Sequence, residues 1–151
     1  MIVTSSSDEK LDRARELGAW QTINYVQHEA WDREVRRVTD GRGVDHVIEV
    51  GGADTLTRSL GAVRFGGRIA LIGVLSGTST ELNLIPVLMQ QIRVQGVLVG
   101  SRDGFEAMNR AIDAQRLEPV VDRVFELGEA RAAFEHLASG RHFGKICIRL
   151  N

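Results

Sequence analysis

The stretch Gly43-Val44-Asp45-His46-Val47-Ile48-Glu49-Val50-Gly51-Gly52 joins a β-branched run, Val44 to Val50, directly to a pair of glycines. A run of this composition reads as a strand, and glycine at its carboxyl end permits a tight turn into the next element. Downstream, Leu56, Leu60 and Val63 recur at helical spacing as far as Gly66-Gly67, which predicts a helix stopped by that pair. Arg68 to Ile72 is then a second strand ending in glycine (Gly73), and Arg93 to Val99 is a third, ending at Gly100. Strands alternating with helices predict an α/β protein with a parallel sheet. Ligands of open parallel sheets bind outside the carboxyl ends of the strands, so these three glycines, expected in register, predict a binding edge. Each one alone is better explained as a tight strand-to-helix turn.

The same rhythm extends in both directions. Met1 to Thr4 reads as a clipped strand, and Ser5, Ser6 and Ser7 then offer helix caps, with Glu9 three residues after Ser6 as in a capping box. A helix from about Asp8 to Leu17, a strand from Gln21 to Tyr25 and a helix carrying Trp31, Val35 and Val38 lead to Asp40-Gly41. Beyond the polar stretch 75–84, Pro86 opens a short helix to about Gln91. The last third predicts a helix lined by Phe105, Met108 and Ile112, and a strand from Val120 to Phe125. A helix lined by Ala130, Ala133, Phe134 and Leu137 and a strand from Lys145 to Leu150 follow.

Composition narrows the function. The chain has 151 residues, near the size of one domain, with 19 Lys plus Arg against 20 Asp plus Glu and a net charge of −1. That balance offers no basic footprint for nucleic acid and no polybasic membrane tether. No run of about 18 apolar residues is present to span a bilayer. A single cysteine, Cys147, allows no disulfide framework within the chain and no Cys-rich zinc site. The expected compartment is the cytoplasm.

Several motifs fail on inspection. Gly41-Arg42-Gly43 lacks the third glycine of a phosphate-cradling turn and leads into a strand rather than a helix. His28, His46, His136 and His142 show no metal-ligand spacing, and Cys147 alternates with Ile146 and Ile148 as a core residue would. Asp45 and Glu49, four apart on one strand, are expected on one face without a partner that marks an acid/base pair. The serines have two open readings. They cap a helix, or, with helix N-terminal amides and Lys10 one turn on, they receive a phosphate monoester.

Taken together, these segments resemble the C-terminal part of the medium-chain dehydrogenase/reductase superfamily, in its zinc-type alcohol dehydrogenase and quinone oxidoreductase-like branch. The resemblance is carried by residues 3–10, Leu17-Gly18-Ala19, Ile23-Asn24-Tyr25, the stretches 43–52 and 66–73, Val97 to Arg102 and Gly140 to Lys145. It implies a Rossmann-like doubly wound parallel sheet beginning at the family's second strand, without the first strand and its Gly-rich turn. Residues 1–115 would form this incomplete dinucleotide-binding domain, and residues 116–151 a tail that returns to the catalytic domain. Ser5, Ser6, Lys10 and Tyr25 would line the adenosine end of NADP or NAD, and the serines favour NADP. Gly51, Gly73, Val74, Val97 and Val99 would line the path to the nicotinamide, with Lys145 near the phosphates. No catalytic residue and no zinc site is expected in this chain, which should bind cofactor weakly and catalyse nothing alone.

Two further expectations follow from that resemblance. Without a first strand, the edges of the strands on either side of it are exposed, and exposed edges recruit other chains. Family members also pair through the strand at Arg93 to Val99. A homodimer or larger oligomer is therefore expected. Another nucleotide-binding Rossmann protein, such as a methyltransferase, would want its own Gly-rich turn near the N-terminus and a reversed last strand, and neither is visible.

Overall fold

Strands β1 (Ile2–Ser5) and β2 (Gln21–Asn24) pair in parallel, with Ser5 opposite Asn24 and helix α1 (Asp8–Glu16) as the crossover. The structure, a computed structural model, describes residues 1–150. α1 begins where Ser7 holds an extended backbone and its hydroxyl accepts the Lys10 N–H at 3.3 Å. Asp8 and Glu9 in the first turn complement the positive end of the helix. The cap is thus one residue later than the Ser6–Glu9 box predicted, because the Ser5 hydroxyl accepts the Ser7 N–H at 3.2 Å and folds the serine run into a turn.

Helix α2 (Trp31–Val38) leads from β2 to a second sheet of three parallel strands, β3 (Val44–Glu49), β4 (Val63–Leu71) and β5 (Arg93–Gly96), in that order. Helices α3 (Leu56–Ala62) and α4 (Ile85–Met89) are its crossovers. Among the described residues β1 and β3 do not pair, so five strands form two parallel sheets and each of these two keeps one free edge. Apolar packing continues where the ladder stops. Ile23, Val35 and Ala62 form a buried cluster against which Ile2, Trp31 and Val44 pack, joining residues of both sheets through α2. Leu60, Val63, Ile69 and Ile92 form a second cluster under β4.

Val63 opens β4 rather than closing α3, and Gly66-Gly67 lies within the strand instead of stopping a helix. The register explains this correction. Val44 pairs with Val63 and His46 with Arg68, so one residue of β3 spans the distance of four residues of β4. The surplus loops out as a bulge, and Gly66 at φ 67° takes the left-handed conformation that such a bulge needs. Arg36 of α2 locks this region. Its guanidinium donates to the carbonyls of Gly61 (2.8 Å), Val63 (2.6 Å), Gly41 (2.9 Å) and Arg42 (2.8 Å).

The chain divides into two compact units, Met1–Val99 and the residues from Gly100 onward. The second unit holds α5 (Arg102–Gln115), capped by the Ser101 hydroxyl, and the parallel pair β6 (Val121–Glu126) and β7 (Lys145–Arg149), connected by α6 (Ala130–Ala138). Phe125 and Ala133 are its buried apolar residues. The Asp122 carboxylate bonds His136 Nε2 at 2.9 Å and accepts the Phe143 N–H at 3.0 Å, fixing the segment that enters β7.

Candidate functional site

Glu49 stands opposite Leu71, and Leu71 opposite Gly96, which sets the carboxyl ends of β3, β4 and β5 level. Beyond these ends the register shifts, since Gly73 lies against Val50 while Gly51 meets Ser76 and Gly52 bridges to Gly77, and Gly100 falls outside β5. Because β5 stops at Gly96, the glycine level with the sheet edge is Gly96 itself, and Gly100 opens the second unit. The expected row of three strand-end glycines is therefore not in register, because Gly96 is level with Glu49 and Leu71 whereas Gly51 and Gly73 each lie two residues beyond them.

Glu49 organises this edge. It is 3% exposed, and its carboxylate accepts the N–H groups of Gly51 at 2.7 Å and Gly52 at 3.1 Å, the Thr55 hydroxyl at 2.6 Å and the Ser59 hydroxyl. Burial alone would raise its pKa, but the donors from Ser59, Thr55, Gly52 and Gly51 outweigh burial and hold it below the ordinary 4.5. The Glu49 backbone carbonyl in turn accepts Ile72 and Gly73 N–H, at 2.8 and 3.3 Å. Gly51 closes the link to the loop after β4, since its carbonyl accepts the Ser76 N–H at 2.8 Å and the Ser76 hydroxyl at 3.0 Å.

These bonds explain the two glycines without reference to a ligand. A Cβ on Gly51 would lie 2.2 Å from the Thr55 hydroxyl, and one on Gly73 would lie 2.7 Å from the Val50 carbonyl. Asp45 and Glu49 differ in exposure: Glu49 is buried, whereas Asp45, beside the β4 bulge, is exposed between Arg64 (2.5 Å) and Arg42 (2.7 Å). Hydrogen bonds from Arg64 and then Arg42 lower its pKa to about 2.

Residues 71–74 and 96–98 line an open, apolar groove of about 330 Å³ past the ends of β4 and β5, which brings together Gly73, Val74 and Val97. Val99 lies outside this lining and is 90% exposed. At the other sheet, Ser5 ends β1 and Ser6 follows it, and the Ser5 carbonyl accepts the Tyr25 N–H at 3.1 Å, so Ser5, Ser6 and Tyr25 meet at one strand-end corner. Lys10 follows one turn into α1. Asp8, which also begins α1, turns its carboxylate to Asn24 Nδ2 (2.7 Å) and Gln27 Nε2 (3.0 Å). A polar hollow of about 190 Å³ between α1, β2 and α2 includes Asp8 and Asn24, and none of the sequence-predicted site residues lines it. Lys145 is exposed at the start of β7, in the second unit.

Sequence reading singled out Glu49 only as a strand-end carboxylate and missed Thr55 and Ser59. The available signal was an acidic residue followed by Gly-Gly and by hydroxyl residues six and ten positions later. A metal finds no support in these residues. No group of three or more His, Cys, Asp or Glu able to hold an ion occurs among the described residues.

Parallel strands whose carboxyl ends form an apolar groove, with a hydroxyl-lined corner at the neighbouring sheet, are the parts of a dinucleotide-binding domain. The family model described as zinc-binding dehydrogenase matches residues 1–114. The chain belongs to this family of NAD(P)-dependent oxidoreductases and corresponds to its cofactor-binding part. It is 39% identical, over its whole length and 45% of the relative's, to a zinc-type alcohol dehydrogenase-like protein of Schizosaccharomyces pombe. A crystal structure of an NAD-dependent alcohol dehydrogenase is 35% identical with a TM-score of 0.89, covering 99% of this chain and 43% of the other. At 24% identity, mycobacterial Rv1454c, solved with NADPH, shares the fold, with a TM-score of 0.80 over 99% of this chain and 49% of that one. The chain thus spans a little under half the length of the relatives it matches.

Proposed function

We propose that this chain is the cofactor-holding portion of an NAD(P)-dependent oxidoreductase that transfers hydride to or from an alcohol, carbonyl or enone. The observation that carries the reading is the level edge formed by Glu49, Leu71 and Gly96, with the apolar groove just beyond it. In this reading residues 1–115 hold the dinucleotide and residues 116–151 form the tail. The end of the family match at residue 114 supports that division.

Ser5, Ser6, Lys10 and Tyr25 would hold the adenosine end. Their hydroxyls and ammonium favour a 2′-phosphate, hence NADP over NAD. Gly73, Val74 and Val97 would give the nicotinamide an apolar wall, with Gly51 shaping the turn beside it and Val99 following beyond it. When bound, the nicotinamide supplies the hydride chemistry, while this chain orients it and excludes water from one face. The chain spans 45% of the Schizosaccharomyces pombe relative and 43% of the NAD-dependent alcohol dehydrogenase, and in this reading it binds cofactor weakly and turns over no substrate alone. Saturation-transfer NMR tests this reading. Transfer to adenine and nicotinamide protons of NADPH, stronger than for NADH, is expected. Absence of transfer at millimolar cofactor, or oxidation of alcohols by the chain alone, would overturn it.

A second reading, of a non-catalytic domain that persists as an oligomer, is favoured by the free edges of β1 and β3 and by β5, which is exposed along its whole length. A homodimer through β5 satisfies both readings. With Cys147 free and intermediate in burial, a reducing cytoplasm suits the chain.

A further inference from the structure

We propose that Glu49 is a positioning residue for the nicotinamide end of the cofactor, an assignment that rests on the function proposed above and extends it to a residue that touches no ligand. A buried carboxylate is costly unless its oxygens are saturated with donors, and four donors converge on Glu49 from the turn after β3 and the helix it leads into: Gly51, Gly52, Thr55 and Ser59. That turn reaches the groove through two connections. The Gly51 carbonyl holds Ser76, and Gly52 bridges to Gly77, whose carbonyl accepts the Ala53 N–H at 3.1 Å. The Glu49 backbone carbonyl holds Ile72 and Gly73, which are groove residues themselves.

One residue therefore fixes the loop after β4 from both sides, with its main chain on residues 72–73 and its side chain acting through residues 51–53 on 76–77. A neutral apolar side chain here would leave the Gly51 and Gly52 N–H groups without their acceptor and let the loop carrying Gly73 and Val74 shift. The Ser5–Ser6–Tyr25 corner takes its hydrogen bonds from β1, α1 and β2 and would not be disturbed. Glu49 thus governs one end of the binding edge and leaves the other alone.

Protein-observed NMR on the ¹⁵N-labelled chain, titrated with NADPH, separates the two ends. In Glu49→Ala the shifts at Gly73, Val74 and Val97 should stay small even at saturating NADPH, as when the ratio of docked to undocked nicotinamide end falls about tenfold on removal of a charged acceptor, while those at Ser5, Ser6 and Lys10 keep their wild-type amplitude. Glu49→Gln keeps an acceptor toward Gly51 and Gly52 and should restore the groove response. If Glu49→Ala does not fold or loses both ends, Thr55→Val decides, with a weakened response confined to the groove as the supporting result. A folded Glu49→Ala chain, or Thr55→Val where that variant decides, with wild-type groove shifts would overturn the assignment and leave the proposed function standing. A wild-type chain that shows no shifts with NADPH would overturn both.

Discussion

Two carboxylates on one strand have opposite surroundings and the same direction of pKa shift. Asp45 is lowered to about 2 by Arg64 and Arg42 in solvent. At Glu49 burial pushes the pKa up, and the donors Ser59, Thr55, Gly52 and Gly51 outweigh it and hold the carboxyl below its ordinary value. A carboxylate with a depressed folded pKa contributes stability that is present above its unfolded pKa and lost as pH falls through the folded value. Thermal stability should therefore hold down to about pH 4.5, near the unfolded carboxylate range, and fall progressively toward pH 2. Glu49→Gln should melt lower at neutral pH and show a shallower decline in acid. Melting curves recorded from pH 7 to pH 2.5 check this, and parallel pH profiles for the two proteins would refute the role given to the ionised Glu49. The sequence revealed the position of Glu49 but not its importance, because Thr55 and Ser59 reach it only once α3 folds back over the strand end.

At the scale of elements, the strand and helix alternation was legible, since β-branched runs and 3.6-residue spacing leave separate traces. The α3–β4 boundary was not. Val63 continues the helical spacing of Leu56 and Leu60, so the pattern extended the helix, yet pairing with Val44 captured it as a strand residue. A bulge of β4 against β3 depends on the partner strand and cannot be read from one segment. Arg36 was silent for the same reason, since the carbonyls it binds come from α3, β4 and the turn before β3. Arg36→Ala leaves these carbonyls without their donor and should cost about 2–3 kcal/mol in urea unfolding. A loss below about 0.5 kcal/mol, the range of ordinary surface changes, would show that the guanidinium is dispensable.

For the molecule as a whole, the sequence resemblance foresaw the parallel fold and the family, because both follow from segments kept in order along the chain. The level row of strand-end glycines was not legible, because the register shifts beyond β3 and β4 and the length of β5 is set by pairing with β4. The free edges of β1, β3 and β5, with Leu88, Leu98 and Val99 all at least 75% exposed, leave backbone donors and apolar surface available to another chain. Light scattering across concentrations should give a dimer or larger, and a stable monomer throughout would contradict this.

In the proposed function the dinucleotide lies across the carboxyl ends of the strands, its adenosine at β1 and its nicotinamide at the groove beyond β4 and β5. Amide shift mapping of the wild-type chain with NADPH distinguishes this placement from any other. Perturbations are expected at Ser5, Ser6, Lys10 and Tyr25 together with Gly73, Val74 and Val97. Perturbations centred instead on the polar hollow between α1, β2 and α2, or absent at millimolar cofactor, would contradict it.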